Sequence, residues 1–212
     1  MSRAKGAAKK GSVLERLEAA EAEGVLHRLL AAHPALRAEA ETIARSQMGM
    51  VNFEVVADEV DDAVRSLDID DLNRRAGRHE WGYVEPTEAA WEVLEESMQP
   101  FIADIKRRID LGLEADALEI CKGVVLGLHR IEQAKAGGLL EWAPDFPAEA
   151  AGDAIETWCK EAGKRKVAGG GPRRIRPPFP QEFTDRLVPK WREMIARTLP
   201  DQARQARGRV RF

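Results

Sequence analysis

The 212-residue sequence is poor in cysteine, and its two cysteines, Cys121 and Cys159, exclude several classes of small-protein architecture. Two cysteines cannot build a disulfide framework or a cysteine-rich zinc cluster. We therefore interpret both as small hydrophobic residues that are buried or half-buried. Histidine is scarce as well, with four residues in the chain. Their spacing does not predict that they converge on one metal ion. The sequence therefore predicts no metal site.

Long hydrophobic runs are also missing. No stretch approaches the roughly 20 apolar residues that a membrane-spanning helix needs. The N-terminus has no apolar core of the signal-peptide type after its basic residues. We therefore expect a soluble, cytoplasmic protein that does not contact a membrane. The apolar content of 44% is nevertheless sufficient for a packed core.

Signals for strands and for catalysis are absent too. No alternation of apolar and polar residues is long enough to demand a sheet. The glycines at 169–171 lack the following lysine and hydroxyl residue of a phosphate-binding loop, and no predicted strand precedes them. Neighbouring carboxylates such as Asp61 and Asp62 point to different sides of a helix, which is typical of a solvated face. We expect no catalytic residues and no cofactor, and we rank an enzyme as the last of three hypotheses.

What the sequence does have is charge that is sorted by position. Residues 12–159 hold 14 Lys or Arg against 31 Asp or Glu, a net charge of −17. Residues 160–212 carry +10 and residues 1–11 add +4, so the overall charge of −3 hides an acidic body with basic ends. Such asymmetry suggests an interaction role, although it names no partner.

Helical periodicity dominates the acidic part. Ser12 and Glu15 form a capping-box pattern, and His33-Pro34 predicts a break before a helix that ends near Met48. Three further apolar stripes at steps of three and four residues predict longer helices, and Gly112 joins the second and third of them into an antiparallel hairpin. These stripes cover residues 53–67, 91–109 and 113–131.

The predicted fold is all-α, an irregular helical-repeat bundle of antiparallel helix hairpins that resembles an α-solenoid. The hairpins are followed by a flexible basic linker and a C-terminal helix. The predicted divisions are a disordered basic tail at 1–11, an acidic helical-repeat domain at 12–162, a basic Gly/Pro linker at 163–180, an amphipathic helix at 181–200 and a basic tail at 201–212.

Two groups of residues are candidates for binding partners. The first is the aromatic turn with Trp81 and Tyr83, which is either a plug over the core, the interpretation that we favour, or an exposed recognition tip. The second is the set of linker cations. These cations either bind nucleic-acid phosphates, dock on the acidic body of the same or a second chain, or serve only as a solubilising tether. They are Lys164, Arg165, Lys166, Arg173, Arg174 and Arg176.

The C-terminal helix supplies a third group of candidates. Phe183, Leu187 and Trp191 recur every four residues and form one apolar face, and Pro189 predicts a kink in the middle. An amphipathic helix behind a flexible linker suits docking in a groove or exchange between protomers. The sequence therefore predicts that this helix docks on its own body, on a second copy in a homodimer, or on another protein.

The segment from Leu29 to Leu36, with two leucines, His33-Pro34 and a further leucine, resembles a helix break in the C-terminal helical region of bacterial SWIM zinc-finger proteins. The hairpin formed by Trp91, Leu94 and Ile105 and then by 115–131 is similar to the paired helices of that region. The resemblance covers residues 25–135 and implies a helical-repeat scaffold of unassigned function. The zinc-binding signature of the family is absent, so its metal and nucleic-acid roles do not transfer.

The leading functional hypothesis is therefore a non-catalytic scaffold for protein–protein interaction. Its basic tail and last helix would dock on the chain itself, on a sister chain or on a protein partner. The second hypothesis is a nucleic-acid-associated accessory protein that uses residues 160–178 and 204–211.

Overall fold

The computed structural model describes residues 12–80, 82–135, 137–164 and 178–199. Over these ranges the chain is helical apart from one small two-stranded ladder, which confirms the predicted all-α class. Stacking of the α-solenoid type stays a prediction. The chain divides into two compact units, and the division falls between Met50 and Val51. This boundary lies inside the segment 12–162 that the sequence analysis treats as one domain.

The first unit consists of two helices and two short 3-10 turns. Ser12 and Glu15 form the predicted capping box, and the chain breaks as predicted at His33. The turn 13–16 is separate from the following helix because Leu17 is extended. The elements are the turn Val13–Arg16, α1 (Ala19–Ala32), the turn Pro34–Leu36 and α2 (Arg37–Gln47).

The second unit holds the remaining elements. They are α3 (Phe53–Arg65), α4 (Ile69–Arg75), β1 (Gly77–His79), β2 (Gly82–Val84), α5 (Pro86–Asp110), α6 (Glu114–Gln133), α7 (Phe146–Ala162), α8 (Gln181–Leu187) and α9 (Arg192–Thr198), with 3-10 turns at Gly138–Glu141 and Pro189–Trp191.

Helices α5 and α6 form the hairpin that the sequence predicts. Gly112 makes the turn with a φ of +76°, a conformation that favours glycine, and the amide of Leu113 donates to the carbonyl of Arg108. Pro100 lies within α5, and the helix continues across it. The inward side chains of α6 are fully buried between α3, α5 and α7, so α6 is the centre of the core.

Two glycines let α3 approach α6 closely. A Cβ atom added at Gly127 would lie 2.7 Å from the carbonyl oxygen of Ala57 and 2.8 Å from Cβ of Val60. One turn earlier, a Cβ added at Gly123 would overlap Val56. Both glycines therefore serve packing, since only a residue without a side chain permits this separation of the two helices.

The ladder of β1 and β2 departs from the prediction of helices and loops alone. The strands are antiparallel, with Arg78 paired to Tyr83 and His79 paired to Gly82. Gly77 and Gly82 adopt φ values of +106° and +148°. These three-residue strands are too short to show the alternation that identifies a strand in sequence, so glycine spacing is the one signal they leave.

The C-terminal segment, residues 178–199, is not the single helix that the sequence predicts. It breaks at Val188, where φ is −131° and ψ is 51°, because Pro189 follows and disfavours helical geometry in the residue before it. Phe179 and Phe183 are already buried. The packed segment therefore begins within the range 163–180 that the sequence analysis assigns to the linker.

Candidate interaction surfaces

Residues 19–47, which we call the N-terminal arm, carry large apolar side chains that are about half-exposed. In α1, Val25, Leu26 and Leu29 are each more than 40% exposed, and in α2 the exposed fraction of Ile43 is 50%. No described residue before Val51 is buried. A helix face of this kind normally packs against another apolar surface, so the arm is a candidate interaction element.

The arm folds this way because its sequence is amphipathic but short. Val25, Leu26, Leu29 and Leu30 lie within one sector of α1, while Arg28 and the acidic residues flank that sector. Helices α1 and α2 have 14 and 11 residues. Isolated helices of about 12–15 residues are marginal in water, so contacts must stabilise the arm.

The C-terminal segment has the opposite character, since aromatic rings fix it to the second unit. Phe179 contacts Trp158 edge-on, with ring centroids 6.0 Å apart, and also contacts Phe183 at 5.7 Å. Phe183 in turn meets Phe53 of α3 at 5.7 Å. This chain of rings links α7, the C-terminal segment and α3, so Phe179 and Phe183 are part of the core.

A polar contact adds to this attachment near the end of α6. The ring of Trp191 meets that of His129 edge-on at 5.1 Å, and its indole Nε1 donates to the carboxylate of Glu132 at 3.1 Å. His129 is buried, and its Nε2 has no hydrogen-bond partner among the described residues. Burial lowers the pKa of His129, and the ammonium of Lys190 acts in the same direction while Glu132 opposes it.

These contacts change the interpretation of the C-terminal candidates. Phe183 and Trp191 are buried in the core of their own chain, so neither is available on the surface described here. Leu187 remains 37% exposed beside a recess of about 330 Å³ that Phe53 and Arg186 also line. Of the three docking modes predicted for this helix, the structure contains packing on its own body.

The other predicted candidates fall in different places. Tyr83 is 62% exposed on β2 and Trp81 lies outside the described residues, so both interpretations of the aromatic turn stay predictions. Lys164 pairs with Glu161 one turn earlier at 2.6 Å. Arg165, Lys166, Arg173, Arg174 and Arg176 lie outside the described residues. Lys164 is therefore the one linker cation whose contacts the structure describes.

The two cysteines and three of the tryptophans lie in or beside the core of the second unit. Cys121 and Cys159 are both buried free thiols, as predicted, and burial raises the pKa of Cys121. Trp158 and Trp191 are buried, whereas Trp91 is half-buried and its ring meets that of Phe146 edge-on at 5.1 Å. Both thiols are therefore components of the packing.

A recess of about 380 Å³ lies between α5 and α7, with α6 as its floor. Trp91 and Met98 form an apolar part of its wall, and Asp153 stands at its rim. Burial raises the pKa of Asp153, and the neighbouring carboxylate of Glu156 raises it further. The rim carries both signs of charge, since Lys106 and Lys160 also line it, so its chemistry does not select one class of ligand.

In the described ranges, no three His, Cys, Asp or Glu side chains are grouped so that they could hold a metal ion. None of the described helices is long and apolar enough to cross a membrane.

Comparison with known proteins gives no match, whether to a protein-family model, to a curated protein or to a solved structure. The resemblance to the helical region of SWIM zinc-finger proteins therefore stays a prediction.

Proposed function

We propose that this protein is a non-catalytic helical scaffold for protein–protein interaction and that the N-terminal arm is its docking element. One observation carries the proposal. The arm presents large apolar side chains on both of its helices and buries none of them, whereas the second unit has a complete core. A partner that covers the arm would supply the contacts that its helices lack.

The energetic argument concerns the five large apolar residues of the arm that are 38–50% exposed. Burying a large aliphatic side chain contributes about 1.5–3 kcal/mol relative to full exposure. Each half-exposed residue therefore leaves on the order of 1 kcal/mol to be gained from a partner. The five residues are Val25, Leu26, Leu29, Leu36 and Ile43.

The helix-in-groove mode of recognition fits this surface. In that mode an amphipathic helix places residues one turn apart into an apolar groove of its partner. Leu26, Leu29 and Leu30 have this spacing on α1, and Leu36, directly before α2, has it with Ala40 and Ile43 of α2. The break at His33 divides the two sets, so the partner would receive two short helical faces.

The experiment is a comparison of partners captured from the native cell extract by the full chain and by two variants. In the first variant, Leu26 and Leu29 are both replaced by glutamine, which keeps helix propensity but removes the apolar face. The control is Val55→Gln, which changes an exposed apolar residue on α3 of the second unit. We expect the original chain and the control to retain a common partner that the arm variant loses. Identical sets of retained proteins for all three would contradict the proposal.

A further inference from the structure

We propose that the partner of the N-terminal arm is a second copy of the same chain, and that the two α1 helices pack antiparallel across a two-fold axis. This inference rests on the proposed role of the arm and adds the identity of the occupant. A two-fold contact places the same patch of each chain against the other, so the patch must complement itself in shape and charge. The face of α1 meets the charge requirement.

The charges beside the apolar face of α1 are arranged for such self-pairing. Glu21 and Arg28 are seven residues apart, which is two helical turns, so they lie on the same flank of the face. When two copies of a helix pack antiparallel, equivalent flanks meet and run in opposite directions. Arg28 of each copy then lies near Glu21 of the other, whereas parallel packing sets this flank against the opposite flank of the partner helix and does not pair the two residues.

The local contacts of these residues agree with this use. Arg28 forms no ion pair with another described residue, so its guanidinium is available to a second chain. Glu21 accepts a hydrogen bond from the backbone amide of Glu18 at 3.0 Å and thereby caps α1. A carboxylate has room for further hydrogen bonds, so capping does not prevent contact with an arginine.

The C-terminal segment is a less suitable occupant for the arm of a second copy. Its apolar face, with Phe183 and Trp191, is already packed in the core of its own chain. Its release would expose these rings and remove the indole hydrogen bond to Glu132. An exposed arm loses no core contacts when it binds a second arm, and every copy of the chain carries one.

The first test measures the mass of the full chain in solution by light scattering over a range of concentrations. We expect the mass to rise with concentration towards twice the chain mass of 23.6 kDa. The double variant Leu26→Gln with Leu29→Gln should stay monomeric or dimerise at least tenfold more weakly, while Val55→Gln should behave as the original chain. A monomeric mass for the original chain at every concentration would overturn the inference.

The second test asks whether the paired helices are antiparallel by means of a double-mutant cycle. Glu21→Arg alone should weaken dimerisation, because it places two arginines together, and Arg28→Glu alone should do the same. In the background of Arg28→Glu, however, Glu21→Arg should strengthen dimerisation by several-fold. Replacement of Glu21 removes the cap of α1 in both backgrounds. Only direct pairing between residues 21 and 28 of the two chains therefore changes the effect of Glu21→Arg from weaker to stronger dimerisation. If Glu21→Arg weakened dimerisation in both backgrounds, the antiparallel arrangement would be overturned.

These outcomes separate the inference from the proposed function. A monomeric chain whose arm still captures a partner from extract would overturn self-association and leave the scaffold function supported. A dimer that survives both arm substitutions would place the contact between copies elsewhere and overturn the inference. Circular dichroism of each variant shows whether its helices are retained.

Discussion

His129 shows how one buried residue can make the stability of this protein depend on pH. Its ring lies beneath Trp191, with Nε2 unpartnered among the described residues, and burial is the main reason for its lowered pKa. The protonated ring would be a charged group in a site that was built for a neutral one. Protonation of His129 would therefore weaken the contact between α6 and the C-terminal segment.

The first prediction is that the free energy of unfolding falls as the pH drops below about 6.5, the ordinary value of histidine. Because the folded pKa lies below the unfolded one, the unfolded chain binds the proton more readily, and the contribution of His129 is complete only above the unfolded value. The slope from one group is at most about 1.4 kcal/mol per pH unit.

Urea denaturation at a series of pH values measures this dependence. His129→Gln keeps a polar side chain but cannot titrate, so its stability should change less over the same range. Equal pH dependence in the variant and the original chain would show that other groups, such as the carboxylates, are responsible.

Gly127 shows the role of a missing side chain. We predict that Gly127→Ala lowers the free energy of unfolding by about 1–3 kcal/mol, because the new methyl group would meet the backbone of Ala57, which cannot yield easily. The matched control is Gly152→Ala, in the interior of α7, where the nearest atoms are 3.7 Å and 3.9 Å away. That substitution should stabilise the protein by up to about 1 kcal/mol through helix propensity. Thermal unfolding of both variants is the measurement, and a tolerated Gly127→Ala would contradict the close approach of α3 and α6.

Among the elements, the C-terminal segment differs most from its predicted structure. Sequence patterns correctly identified its apolar face and the effect of Pro189. They could not identify what the face packs against, because the contacting rings of Phe53 and Trp158 are more than 20 residues away in the chain. An amphipathic face predicts that a helix packs somewhere, and its partner is a property of the tertiary fold.

Attachment of this segment can be tested at Trp191. We expect Trp191→Ala to cost about 3–5 kcal/mol of stability, as is typical of removing a buried aromatic ring. Trp191→Phe keeps a ring against His129 and loses only the hydrogen bond to Glu132, so it should cost on the order of 1 kcal/mol beyond the change in size. Leu187→Ala, at an exposed position of the same segment, should change stability by less than about 1 kcal/mol. If Trp191→Ala cost no more than Leu187→Ala, the segment would not be packed as described.

At the scale of the whole molecule, the sequence predicted the all-α class, the α5–α6 hairpin and the break at His33. These features depend on apolar residues at steps of three and four and on single prolines and glycines, which determine the structure of nearby residues. It did not predict that the division into compact units falls between Met50 and Val51. The helices before and after that point have similar apolar patterns, and only tertiary packing distinguishes a stripe that is covered from one that is not.

The candidate surfaces also differ in whether tertiary packing covers them. The sequence directed attention to Phe183 and Trp191, and the fold buries both. The leucines of the arm were recognised as a helical stripe and not as a surface, since burial cannot be read from periodicity alone. Exposure of the arm is therefore the observation on which the functional account depends.

The most direct measurement of that account is amide hydrogen exchange of the full chain, followed by mass spectrometry at low and high protein concentration. At low concentration, we expect the amides of residues 19–47 to exchange much faster than those of α3, α6 and α7, because uncovered short helices open readily. At high concentration, the arm amides should become protected while those of the second unit stay unchanged. Arm amides that are as protected as those of α6 at the lowest concentration, with no change at the highest, would contradict an uncovered docking element.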